Sequence, residues 1–117
     1  MEFKTSLSKI YSNSIYWDVY NDDEKLIGTF GVLWLDQKLY TDIELKKKYR
    51  GKGYFKLVYD YFINHLWDDM WHTQTLYAFV GKNNIASQKA HQKYGCKLVK
   101  TNRHTYIYLV KKAVKNG

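Results

Sequence analysis

The chain of 117 residues contains no proline and a single cysteine, Cys96. One thiol cannot close an intramolecular disulfide, so a cross-linked secreted scaffold is excluded and a reducing cytosol fits. No stretch is long and apolar enough to span a bilayer. The start Met1-Glu2-Phe3-Lys4-Thr5-Ser6 has no apolar run behind its charges, so no secretory leader is expected. The expectation is one cytoplasmic domain over residues 1–117. Acidic residues are also few, 11 Asp+Glu against 19 Lys+Arg, a formal charge of +8. That surplus favours anionic partners, whether nucleic acid, an acidic protein or a phosphate-bearing cofactor, and does not choose among them.

What is present is patterned. Ser14 to Tyr20 alternates, with Ile15, Trp17 and Val19 on one side and Tyr16, Asp18 and Tyr20 on the other, a period of two that reads as a strand. Asn21-Asp22-Asp23-Glu24 is a turn, Lys25 to Leu35 a second strand, and Asp36-Gln37-Lys38 leads into a third, Leu39 to Leu45. From Gly53 the apolar residues Tyr54, Leu57, Val58, Tyr61, Phe62 and Leu66 fall at helical spacing. A strand over Thr75 to Val80 follows, then a helix over Asn84 to Tyr94 closed by Gly95. Strands at Lys97 to Thr101 and Thr105 to Lys111 end the pattern. The fold class is therefore mixed α/β (α+β), a largely antiparallel central sheet with helices packed on it.

Arg50-Gly51-Lys52-Gly53 joins the third strand to the first helix. Unsatisfied N–H groups at a helix start suit phosphate, and glycines let a ligand approach the main chain. Lys46, Lys47, Lys48, Arg50 and Lys52 surround the turn with positive charge. Taken alone, a glycine pair is more often an ordinary turn beside a solvated basic run. The Gly-Lys-Ser/Thr ending of a P-loop and the third glycine of a dinucleotide fingerprint are both missing.

The turn resembles the Arg/Gln-x-x-Gly-x-Gly/Ala motif of the GNAT superfamily of N-acetyltransferases. A second segment of that family, Asn-x-x-Ser/Ala-x-x-x-Tyr-x-x-x-Gly-Phe, is similar to Asn84-Ile85-Ala86-Ser87, then His91, then Gly95-Cys96. The resemblance implies an acetyl-CoA-dependent N-acetyltransferase. It implies that N–H groups of Arg50, Gly51, Lys52, Gly53, Tyr54 and Phe55 hold the pyrophosphate. The strand edge Ile43, Glu44, Leu45 and Lys46 would pair with the pantetheine arm, Asn84 would hydrogen-bond the cofactor, and Ser87 would line its path. Phe55 stands where the family most often has Gly or Ala, Cys96 replaces Phe, and His91 replaces Tyr.

Acetyl transfer needs an uncharged amine, an oxyanion donor and a proton for the departing thiolate. His91 occupies the position of the family's proton donor, and imidazole titrates in the working range. Tyr40, Asp42 and Glu44 share one strand face, which makes Asp42 and Glu44 the candidate bases; pairing with the lysine cluster is the bland alternative. His65, Asp68, Asp69 and His72 read as a solvated helix end, so no metal is expected. Only about a dozen residues precede the first strand that alternates clearly, too few for the strand and two helices that usually open the family's domain. Glu2 to Ser6 is read as a short strand and Ser8 to Ser12 as a single turn. The acceptor side is therefore expected to be open, suited to a macromolecular amine such as a protein lysine or N-terminus, or to be closed by the partner subunit of a homodimer. The rival readings are a basic nucleic-acid-binding module, a coenzyme A binder without catalysis, and acetylation of aminoacyl-tRNA.

Overall fold

In the computed structural model, which describes residues 2–67 and 75–110, the alternating segments assemble into one seven-stranded sheet. The strands are β1 (Phe3–Ile10), β2 (Ser14–Asn21), β3 (Leu26–Leu35), β4 (Lys38–Leu45), β5 (Leu76–Gly81), β6 (Lys97–Thr101) and β7 (Thr105–Leu109). A 3-10 turn (Lys47–Tyr49) and helix α1 (Tyr54–Tyr61) follow β4, and helix α2 (Ile85–Lys93) lies between β5 and β6. The spatial order is β1-β2-β3-β4-β5-β7-β6. Every neighbouring pair is antiparallel except β4 with β5. The mixed sheet expected from the pattern is present.

Local chemistry sets the turns. Asn21 Oδ1 accepts the N–H groups of Asp23 and Lys25, closing the β2–β3 turn. Asp36 and Gln37 both take positive φ, 49° and 65°, the twist that a two-residue hairpin loop needs between Leu35 and Lys38. Gly95, at φ 77°, ends α2.

Two local expectations change. β1 runs to Ile10 with a bulge at Ser8, so Ser8 to Ser12 is not a separate turn of helix; pairing with β2 outcompetes it. The helix after Gly53 is α-helical only to Tyr61 and continues as a π-helical turn (Phe62–Trp67). Lys111, Asp68, Asp69 and His72 lie outside the described residues.

Cross-strand register divides the sheet into two faces. Ile15, Trp17 and Val19 of β2 share one face with Phe30 and Val32 of β3, Thr41 and Ile43 of β4, and Tyr108 of β7. Both described helices pack here: Phe62 meets Phe30 at 5.9 Å, and His91 stacks on Tyr108 at 5.6 Å. The other face carries Tyr16, Asp18, Thr29, Tyr40, Asp42, Glu44, Tyr77 and Phe79. Its side chains are half-buried or exposed, whereas Val19, Phe30, Val32, Leu39, Val58 and Leu76 of the core are sealed.

Candidate active site

β4 and β5 pair only through Leu39↔Leu76, Tyr40↔Tyr77 and Thr41↔Ala78. Beyond that point β4 stays with β3 as far as Leu45, while β5 stays with β7 as far as Gly81. The two strands diverge, and the β5-facing edge of Asp42 to Leu45 lies outside any ladder. Thr41 marks the apex, its hydroxyl donating to the Gly31 carbonyl at 2.9 Å. On the opposite face, which no described helix covers, Tyr40 stacks on Phe79 at 4.6 Å, which closes the narrow end of the split. A main-chain edge opened inside a sheet is a ready acceptor of an extended, amide-bearing ligand.

The turn after β4 lies at the wide end. Gly51 and Gly53 adopt φ 74° and 90°, and nothing lies within 4 Å of a Cβ built on Gly51. Gly53 is the N-cap of α1 and supplies no side-chain acceptor; the Leu57 N–H is the one that returns to the Gly53 carbonyl, at 3.5 Å. The N–H groups of Tyr54, Phe55 and Lys56 therefore precede the first intrahelical bond and point outward at the positive end of the helix. Lys46, Lys47, Lys48 and Lys52 are exposed around them. Arg50 turns inward, its Nε donating to the Leu45 carbonyl at 3.0 Å. The guanidinium thereby anchors the end of β4 to the turn.

Ile43, Leu45, Arg50, Gly51, Phe55, Asn84, Ala86 and Ser87 line a narrow cleft of about 30 Å³ on the helix side of the split. Seven of these eight residues belong to the set expected from the two motifs, Ala86 being the addition. Phe55 leaves the glycine turn clear by pointing inward, where it stacks on Tyr59 at 5.8 Å and meets His91 edge-on at 5.4 Å. Asn84 serves the fold first: its Oδ1 caps α2 by accepting the Ser87 N–H at 3.1 Å. This cleft fits coenzyme A in kind, with uncapped N–H groups for phosphate and an open strand edge for amides.

His91 lies behind the cleft wall and is only 2% exposed. Its Nδ1 lies 2.8 Å from the Ser87 carbonyl and so carries the proton, leaving the lone pair on Nε2. Nε2 is buried without a partner. Burial pushes the His91 pKa below its ordinary value, opposed by the bond to Ser87, so the ring is neutral at pH 7. Expected to donate a proton at the thiolate, His91 here has none on the free nitrogen and no opening to the cleft. Phe55, Tyr59 and Tyr108 surround its ring.

Asp42 projects from the uncovered face, opposite Gly31. Tyr16 lies over that glycine, where an added Cβ would meet the ring at 2.5 Å. Loss of hydration pushes the Asp42 carboxyl from 3.8 up to about 6, and the neighbouring Glu44 charge adds to the rise. Glu44 is exposed, one register step closer to the wide end. A carboxylate with a pKa near 6 is ionised at neutral pH yet basic enough to take a proton from an amine.

Some cleft features had no signal in the sequence. Tyr16 comes from β2, and only the sheet register places it beside Asp42. Lys82, Arg103 and His104 belong to two turns that a hydrogen bond from the Lys82 N–H to the His104 carbonyl, 3.0 Å, joins at the wide end. Among the described residues no group of His, Cys, Asp and Glu could hold a metal ion, and Cys96 is buried, 3.2 Å from the Tyr59 hydroxyl.

Comparison with known proteins places this geometry. Residues 2–97 match the family model described as an acetyltransferase (GNAT) domain. Among solved structures, a domain from Methanocaldococcus jannaschii DSM 2661 superposes with a TM-score of 0.69 at 21% identity, over 86% of this chain and 68% of that one. The Campylobacter jejuni N-acetyltransferase PseH in complex with acetyl coenzyme A gives 0.61 at 22%, over 88% and 71%. Spermidine N-acetyltransferase from Vibrio cholerae in complex with CoA and spermine gives 0.61 at 12%, over 83% and 63%. No curated protein matches the chain in sequence.

Proposed function

Because the chain belongs to the GNAT acetyltransferase family, we propose that it transfers the acetyl group of acetyl-coenzyme A to a primary amine that reaches Asp42 across the uncovered sheet face. The observation that carries this is the split between β4 and β5, flanked on one face by an uncapped helix start and on the other by a carboxylate of raised pKa. When bound, acetyl-coenzyme A supplies an acyl group already activated as a thioester.

The chain's own groups supply the rest. N–H groups at the start of α1, with Arg50 and the lysines around it, hold phosphate. The free edge from Asp42 to Leu45 pairs with the amides of the arm and presents an N–H toward the thioester oxygen, where a fixed donor favours negative charge by about 3 kcal/mol. Asp42, ionised above about pH 6, takes the proton that the amine must lose, with Glu44 two residues along the same face as the second carboxylate. His91 acts as a positioning residue, bracing Phe55 and α2 behind the cleft. A thiolate leaves without an acid more readily than an alkoxide, so the reaction does not require the imidazole to donate.

The acceptor side favours a macromolecular amine, such as a protein lysine or N-terminus. β1 passes to β2 through the short turn Tyr11 to Asn13, so that connection puts no helix over the face that carries Asp42. The test is calorimetric titration with acetyl-coenzyme A, then thiol release with lysine-bearing and free N-terminal peptides against simple alkylamines. Saturable binding with faster release from peptides is expected. Absence of coenzyme binding refutes the donor site, and binding without release from any amine refutes catalysis.

A further inference from the structure

At the wide end of the split a second cavity, of about 450 Å³, opens beside the donor cleft and shares Arg50 and Asn84 with it. Arg50, Lys82, Arg103 and His104 line it, against the single carboxylate of Glu44. Among the described residues the one ion pair is Lys56 with Asp60, so no carboxylate lies within bonding distance of the cationic groups of Arg50, Lys82 and Arg103. The cavity thus carries a positive field beside the carboxylate proposed to receive the amine's proton.

We propose that the acceptor amine carries an anionic group, phosphate or carboxylate, which this cavity holds while the amino group lies at Asp42. The inference rests on the amine-transfer reading above and deepens it. Register gives the spacing. Thr41 is level with Ala78, and Ala78 with Tyr108, so Asp42 stands at the level of Phe79 and Ile107. His104 is three residues beyond Ile107 along β7, which at the rise of an extended strand is roughly 10 Å. Glu44 is two residues from Asp42, roughly 7 Å along β4. β7 lies two strands from β4, roughly 10 Å across the sheet, so the main-chain positions of Asp42 and His104 are roughly 14 Å apart. The side chains of Asp42, Arg50 and Arg103 shorten that gap, so an amine and anion separated by about 7–10 Å span it, and an amine with its anion on the adjacent carbon is too short. Glu44 sits between the two ends, where it faces the cationic amine and repels an anion placed too near Asp42.

The test uses three primary amines of one length, differing only in the far group: 6-aminohexyl phosphate, 6-aminohexanol and 1,6-diaminohexane, the last counted per amino group. At saturating acetyl-coenzyme A, kcat/KM is expected to fall in that order, with the phosphate favoured over the alcohol by about tenfold, the effect of one charge-assisted contact in a solvent-open site. In the R103A/H104A variant the phosphate-to-alcohol ratio is expected to fall below about three. Transfer with no preference, or with the diamine preferred, overturns the inference and leaves the amine-transfer reading standing. A preference that survives R103A/H104A also overturns it. So does a tenfold loss of acetyl-coenzyme A affinity in that variant by calorimetry, because the cations would then belong to the donor. Thiol release from a lysine-bearing peptide but from none of the three overturns the inference alone, and release from no amine, peptides included, overturns both readings.

Discussion

Replacing Asp42 with asparagine exchanges a carboxylate for a neutral group of the same shape and so separates what the charge does from what the side chain fills. Folding holds the carboxyl at about 6, against 3.8 for the ordinary group. Two units correspond to about 3 kcal/mol at most, and the remaining solvent contact of Asp42 reduces this to about 1–2 kcal/mol. The sign follows from proton binding. Below pH 4 the folded and unfolded states both hold the proton, and the charge costs nothing. Between about pH 4 and 6 the unfolded chain releases it first, so stability falls as pH rises, and above 6 the full cost is present. Asp42→Asn is therefore expected to stabilise the protein at pH 7.5 by about 1–2 kcal/mol, a rise in melting temperature of roughly 4–8 °C for a chain of this size. At pH 4 the gain should shrink to about 0.5 kcal/mol or less. The same variant should lose about 10²–10⁴ in kcat/KM for the amine and lose the acidic limb near pH 6. Thermal melts at the two pH values and a pH–rate profile read all three. A variant less stable than wild type at pH 7.5, a gain equally large at pH 4, or an unchanged rate profile would each refute the reasoning.

Gly53→Glu puts a carboxylate and a strained left-handed backbone at the start of α1, where φ is 90°; acetyl-coenzyme A binding by calorimetry should weaken by at least about a hundredfold. His91→Phe removes the unpartnered Nε2 and the bond to Ser87 together, so stability at pH 7.5 should move by less than about 1 kcal/mol, and coenzyme affinity should hold. Since the His91 pKa is lowered on folding, wild-type stability falls as pH drops through and below 6.5, and urea titrations should show that loss reduced in His91→Phe. A kcat loss above a hundredfold with intact affinity would return His91 to proton transfer. Gly28→Ala drives a methyl into the Glu44 carbonyl of β4; urea unfolding should show a loss of about 1–3 kcal/mol, and a neutral outcome would mean that the β3–β4 contact yields easily.

Local pattern alone determined much of this protein. The alternation from Ser14 to Tyr20, the period of apolar residues after Gly53 and the capping residues Asn84 and Gly95 act within a few positions of themselves, and the elements they imply are present. Glycines 51 and 53 needed positive φ, and the two motif segments hold Arg50, Gly51, Phe55, Asn84 and Ser87 of the cleft because both lie at helix starts. Other features came from contacts between residues far apart in sequence. The tertiary structure decided that β4 leaves β5 after Thr41, since that depends on β3 and β7 each holding one strand. It raised the Asp42 pKa through burial on a face where Tyr16 covers the facing glycine, and it sealed His91 among Phe55, Tyr59 and Tyr108. Desolvation of this kind is a property of the packed neighbourhood, and no spacing along the chain encodes it. The same holds for the cavity of Arg50, Lys82, Arg103 and His104, whose charges converge only once two turns meet at the end of the sheet.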